Sequence, residues 1–221
     1  MKNPTKAGIK VPALPKHLPS ASLAALLDQD LLYQLLFSGE SLSEVQAAHL
    51  VFEQVCFRRM IFQLTRFTDI RLSDCRVESS DLSGAEWNKA RLRRTVFTGC
   101  RLLGASLVEA IFEDVRFHDC VVEKANFTWA LFPSARFEKC DLRDASFTGA
   151  DLSGVVFDQC NLSGADLSDA ILVGADLRTS VIDGIRVGVK ELQGAIIAPI
   201  QAVQVVGLLG MVVKEDEDLA V

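Results

Sequence analysis

The residues of this chain that could carry chemistry are three histidines, six cysteines and a large stock of serine and aspartate. His17, His49 and His118 are far apart in sequence. His118 directly follows Phe117, at an outward position of the repeat described below, and reads as a solvated side chain rather than a general base. Serines and aspartates recur at outward repeat positions, so a Ser/His/Asp coincidence carries little weight. Cys100, Cys120, Cys140 and Cys160 are spaced by twenty. Such a column points its thiols in parallel along a line, whereas a metal needs ligands that converge tetrahedrally. There is no phosphate loop, glycine-rich nucleotide fingerprint or paired-cysteine zinc motif. The repeat described below, filled by Phe and Leu, is expected to leave no ligand pocket. The expectation is a chain that is not an enzyme and has no cofactor.

The element that positions everything else is a register of five. Large apolar residues stand at every fifth place from Phe52, Phe57, Phe62 and Phe67 through Leu172, Leu177 and Ile182 to Val187, 28 positions without a break. A smaller residue, most often alanine, precedes each centre by two. A helix repeats at 3.6 residues and a strand at 2, so neither keeps such a column on one side. A solenoid does, because its backbone turns a fixed angle per unit. Nine of the 14 glycines, among them Gly84, Gly104, Gly149 and Gly194, fall two places after a centre. There a corner requires a residue tolerant of positive φ.

The units read A-(D/N)-L-x-x, as in Ala150-Asp151-Leu152-Ser153-Gly154 and Ala165-Asp166-Leu167-Ser168-Asp169. This closely resembles the pentapeptide repeat family, from Ala48 to about Gln193. The resemblance implies an all-β solenoid, a right-handed quadrilateral β-helix with one pentapeptide per side and four per coil. Residues twenty apart then stack at about 4.8 Å, and about seven coils make a rod of about 34 Å. The cysteine spacing agrees with a twenty-residue coil.

The chain divides into a flexible Pro- and Lys-rich arm (1–19), an N-terminal α-helical cap (20–46), the β-helix (47–195), a C-terminal helix/strand cap (196–213) and an acidic disordered tail (214–221). The N-terminal helix is expected from Ser20 or Ser22 to about Phe37, on the stripe Leu23, Leu26, Leu27, Leu31, Leu32, Leu35 and Leu36, with Gly39 as its stop. A second helix is expected from Pro199 to Leu208-Leu209, stopped by Gly210. No apolar run of 18 residues suggests a membrane-spanning helix. The cysteines show no secreted framework, which reads as reduced and cytoplasmic.

Net charge is −6 overall, and residues 141–195 hold nine acids against four bases, a net of −5. Direct nucleic-acid binding is therefore not expected there. Three surfaces stand out as candidates. Ile111, Trp129 and Leu131 form a partner patch, because a Trp stands where neighbouring units carry Asp, Lys or Gly. Asp151, Asp158, Asp166, Asp169, Asp176 and Asp183 form an acidic surface. Ile196, Ile197, Val203, Val206, Leu208 and Leu209 form a dimer segment, more apolar surface than a rod end hides. The leading reading is a non-enzymatic protein–protein interaction module. The alternative, implied by resemblance to the quinolone-resistance branch of the family, is a DNA mimic that binds a type II topoisomerase (DNA gyrase or topoisomerase IV) and protects it from inhibitors. The C-terminal sequence resembles a segment that forms the dimer interface in that branch, which implies a homodimer.

Overall fold

The computed structural model describes residues 8–23, 26–208 and 210–212. The five-residue register becomes a four-sided coil of parallel rungs. Side one starts at Leu31–Tyr33, pairs with Val51–Glu53 and then with Arg71–Ser73, and keeps Leu32, Phe52, Leu72 and Leu92 in line. It continues through Ile111 and Leu131 to Asp151 and Ile171, making eight rungs. Side two runs from Leu36–Ser38 through Cys56–Arg58 and Arg76–Glu78 to Val156–Asp158, Asp176 and Ile196. Side three carries Ser41, Ile61, Asp81 and onward to Val181, and side four carries Gln46–Ala48, Arg66–Thr68 and onward to Arg186. Within the four sides partners are twenty residues apart, save at one slip, so each coil touches only its neighbours.

Three long strands, Arg91–Thr98, Ile111–His118 and Leu131–Glu138, run through the corner between sides one and two. Their ladder slips at Glu113↔Ser134 and resumes at Val115↔Ala135. Pro133 occupies the place opposite Glu113 in a regular ladder and has no N–H to give it.

Packing inside the coil follows from alternation. Each centre points inward, and all 13 phenylalanines are enclosed. Phe97, Phe117, Phe137 and Phe157 stack face to face at 4.8, 4.8 and 5.2 Å. These spacings match the rung separation of about 4.8 Å, so an in-register column of rings stacks without strain. The small inward sites, including Cys100, Cys120, Cys140 and Cys160, are closed to solvent. Corners take positive φ: the nine glycines do so, and so do 21 non-glycine residues at the same place in their units.

Two expectations about the N-terminal part are corrected. Among the described residues, 20–23 and 26–37 are not helical: the Leu31–Tyr33 and Leu36–Ser38 strands are already rungs of the coil, with Phe37 paired to Phe57 and Ala47 to Phe67. The solenoid therefore begins near Leu31 rather than at 47, and has one more rung than expected. A loop closes this end instead of a helix. Ser20 adds to Leu36, Leu23 is buried, and the Leu23 N–H and Ser22 hydroxyl donate to the Glu40 carboxylate at 2.9 and 2.8 Å. Residues 8–18 of the arm, expected to be free, lie along the corner between sides one and two. The Ala13 N–H donates there to Asp74 at 3.0 Å and the Lys10 N–H to Asp114 at 3.3 Å.

At the other end the helix Pro199–Leu208 covers the last coil. Gln201 is buried under it and donates through Nε2 to the carbonyls of Leu177 (2.9 Å) and Ser180 (2.7 Å). The Leu177 carbonyl also accepts the Ser180 N–H at 3.0 Å, whereas Gln201 takes the place of a next rung for the Ser180 carbonyl where the ladder ends. No helix among the described residues is long and apolar enough to cross a membrane. The expected strand at 211–213 does not form at Met211 and Val212, and Val213 lies outside the described residues. So does the expected disordered tail from 214 to 221.

Candidate functional site

The strip around Trp129 is built by the corner between sides four and one. Trp129 takes φ of 58°, and its backbone N–H donates to the Thr148 carbonyl on the next rung at 2.9 Å. This fixes the indole on the outer surface, where the residue is 57% exposed. One rung on, the equivalent position is Gly149, and a Cβ placed there would sit 2.3 Å from Trp129 Cε3. The indole thus lies flat across the gap that the missing side chain leaves, and reaches toward the following rung. There a groove of about 560 Å³ is lined by Trp129, Asp169, Ile171, Leu172, Val173 and, from the closing loop, Lys190, Glu191 and Gln193.

Beside the indole, Ile111, Leu131, Asp151 and Ile171 form one outward column on side one. Leu131 and Ile171 are exposed, Ile111 is half-buried, and Val173 is 58% exposed. The expected patch of Ile111, Trp129 and Leu131 is thereby brought together, and it extends two rungs further than those three residues. Val173 escaped the sequence reading. Its signal is a β-branched apolar residue directly after a centre, where Ser and Arg are common.

The candidate acidic surface is dispersed. Asp151 belongs to side one, Asp158 and Asp176 to side two, Asp166 to side four, Asp183 follows side three, and Asp169 stands at the Trp129 corner. Half of these charges have a cation beside them. Arg136 donates to Asp158 at 2.9 Å, Arg178 to Asp176 at 2.7 Å and Arg186 to Asp166 at 3.2 Å. The Arg178 guanidinium holds the Asp176 carboxyl below the usual carboxylate range. Asp183 accepts from Gln204 at 2.6 Å, and Asp151 accepts the Ser153 N–H at 3.0 Å.

In the candidate dimer segment, Ile196 joins the side-two ladder and Ile197 packs on the core, so both are partly spent within the chain. Val203 is exposed and Val206 half-buried. Ile200, Met211 and Val212, not singled out from sequence, are more exposed than either. The Leu208 side chain and Leu209 lie outside the described residues. Of the histidines, His49 faces Asp69 at 3.1 Å and His118 faces Glu138 at 3.2 Å, each on its own part of the surface.

Comparison with known proteins places the repeat. A model described as "Pentapeptide repeat region" matches residues 70–147 and 90–167. No curated protein matches the chain in sequence. Among solved structures, a trypsin-treated form of QnrB1, a plasmid-mediated fluoroquinolone resistance protein, is 21% identical and covers 83% of this chain and 99% of its own, with a TM-score of 0.47. HetL, a pentapeptide repeat protein involved in heterocyst differentiation regulation from the cyanobacterium Nostoc sp. strain PCC 7120, is 20% identical over 77% of this chain and 87% of its own, with a TM-score of 0.35. With a five-residue register folded into four-sided coils and the family model matched over residues 70–147 and 90–167, the middle of this chain is a pentapeptide repeat region.

Proposed function

We propose that the chain is a non-enzymatic interaction module whose docking face is the apolar strip Trp129–Leu131–Ile171–Val173 and the groove beside it. The observation that carries this is the flat, exposed indole beside exposed Leu131, Ile171 and Val173. Aromatic residues beside a groove are typical energetic anchors, and covering the exposed part of this indole would remove roughly 100–150 Å² from water. A rigid scaffold suits this role, because the strip is held by ladder hydrogen bonds rather than by a loop.

The duplex-mimicking reading finds less support. B-DNA presents about one unpaired charge per 1.7 Å along two strands. Here the candidate aspartates occupy four sides, and Asp158, Asp166 and Asp176 are paired with arginines. A homodimer through the C-terminal end is a second proposed surface, supported by exposed Ile200 and Val203 on the capping helix.

The test is affinity capture from bacterial lysate on the immobilised full chain. Three forms are compared: the parent, Trp129→Ala with Val173→Asp, and a form in which Asp151, Asp158, Asp166, Asp169 and Asp176 are all changed to Asn. Capture lost only in the first variant supports the strip. Capture of topoisomerase subunits lost only in the second would overturn it in favour of mimicry.

A further inference from the structure

The N-terminal arm fills a groove that the repeat does not require. Between sides one and two the corner residues stack as Gln54, Asp74, Arg94, Asp114 and Ser134. An outward corner carboxylate would ordinarily be solvated, yet Asp74 and Asp114 are only 6% and 8% exposed. Arg94 chelates Asp74 through Nε and Nη2, with Nε at 2.7 Å, and the Ala13 N–H adds a further donor at 3.0 Å. Asp114 accepts from the Ser134 hydroxyl at 3.1 Å and from the Lys10 N–H at 3.3 Å. Gln54 Nε2 donates to the Ala13 carbonyl at 2.8 Å. Pro12, between the two donors, is buried and brings no N–H into the groove.

The spacing fits the rod. Asp74 and Asp114 are two rungs apart, about 9.6 Å. Lys10 and Ala13 are three residues apart, about 9–10 Å in an extended or polyproline chain. The column therefore reads the backbone of a chain running along the axis, with a proline between the two points of reading. Further along, Leu14 to Leu18 pass beside Cys56, an outward residue of side two that is nonetheless buried.

We propose that this corner is a binding groove for an extended, proline-containing segment of a partner protein, and that residues 8–14 are its resident intramolecular occupant. A partner enters by displacing the arm. The groove is a different corner from the Trp129 strip, so the two proposals stand or fall separately.

The probe is a fluorescein-labelled peptide with the sequence of residues 8–18, followed by anisotropy against the full chain and against the full-length Pro12→Asp variant. That substitution puts a carboxylate between Asp74 and Asp114 and frees the arm without altering the groove. A tethered segment competes at an effective concentration of about 1 mM. For a peptide with a Kd of about 100 µM, the parent should thus bind roughly tenfold more weakly than the variant. A peptide N-methylated at the Ala13 amide should lose binding, a change that leaves the protein untouched. Maleimide should label Cys56 faster in the variant than in the parent, and added peptide should restore protection. The proposal is overturned if the variant fails to bind the peptide, if parent and variant bind it equally, or if the N-methylated peptide binds as well.

Discussion

Replacing Gly149 by alanine tests the placement of the Trp129 indole, and the cost can be worked from geometry. Gly149 has φ of +66°, a conformation that costs an ordinary L-residue about 1–2 kcal/mol. The corner nevertheless accepts side chains at equivalent places such as Lys89 and Lys139, so this strain is bearable. The new Cβ would stand 2.3 and 2.4 Å from Trp129 Cε3 and Cζ3, against an ordinary contact of about 3.5–4.0 Å. The indole must swing away, and with it go the contacts of its buried part. With a little under half of the residue buried, about 100 Å² at 25 cal/mol per Å² gives at most about 2.5 kcal/mol. Gly149→Ala should therefore cost about 2–4 kcal/mol. Gly104→Ala, with φ of +61° and nothing within 4 Å of the new Cβ, should cost only the backbone part. In a Trp129→Ala background the two glycine substitutions should become equal. Urea melts of these variants measure each term. Equal costs for Gly149→Ala and Gly104→Ala in the parent would mean that the indole does not lie across Gly149, and the groove beside it would lose its wall.

Other outcomes follow from the same geometry. Phe127→Ala removes a fully enclosed ring stacked on Phe147 at 5.0 Å and should cost about 3–5 kcal/mol in a denaturant melt. Thr128→Ala, one residue along and outward, loses a hydroxyl that donates to Asn126 at 2.6 Å and should cost about 1 kcal/mol. Cys75, Cys100, Cys120, Cys140 and Cys160 should resist thiol reagents until unfolding. All are enclosed, and burial, more than any neighbouring charge, pushes the Cys75 thiol up to about 12. Gln201→Leu should loosen the C-terminal helix, visible as faster amide exchange at Ala202–Val206, because the Ser180 carbonyl loses its side-chain donor and the Leu177 carbonyl keeps only the Ser180 N–H. The Arg94 guanidinium beside Asp74 depresses that carboxyl, so its stabilisation is full above the unfolded value of about 3.9 and is lost as pH falls below it. The parent should accordingly keep the Ala13 amide protected from hydrogen exchange through the ordinary carboxylate range and lose that protection only as pH falls through the depressed Asp74 value, whereas Asp74→Ala should lack it already at about pH 7. A homodimer through Ile200 and Val203 should appear in light scattering at high concentration and vanish in Ile200→Asp; a parent that stays monomeric refutes it.

The architecture was legible because one constraint, an inward residue every fifth place, is written 28 times, and glycine marks corners where positive φ is required. The N-terminal error has a specific cause. Leu32, Phe37, Leu42 and Ala47 continue the register of Phe52, but Asp30 and Glu40 stand at its small inward sites, while the leucines also satisfy a helical period. Glu40 is used instead to hold Ser22 and Leu23 in the end loop. At the surface, Trp129 was conspicuous by residue type, whereas Val173 needed the groove geometry to acquire meaning. The arginine partners of the acidic surface were readable in part, since Arg186 and Asp166 are one coil of twenty residues apart. The buried pair Asp74 and Asp114 was not readable, because outward carboxylates look alike until a distant segment lies over them.

A partner protein docked on the Trp129 strip should lie within reach of Val173. The most direct measurement places a photo-reactive amino acid at Val173, in the strip, or at Asn126, on side four, and irradiates each full-length chain in bacterial lysate. The account predicts a discrete cross-linked product from position 173 that disappears when Trp129 is also changed to Ala, and none from position 126. Equal cross-linking from both positions, or a product from 173 indifferent to Trp129, would contradict it.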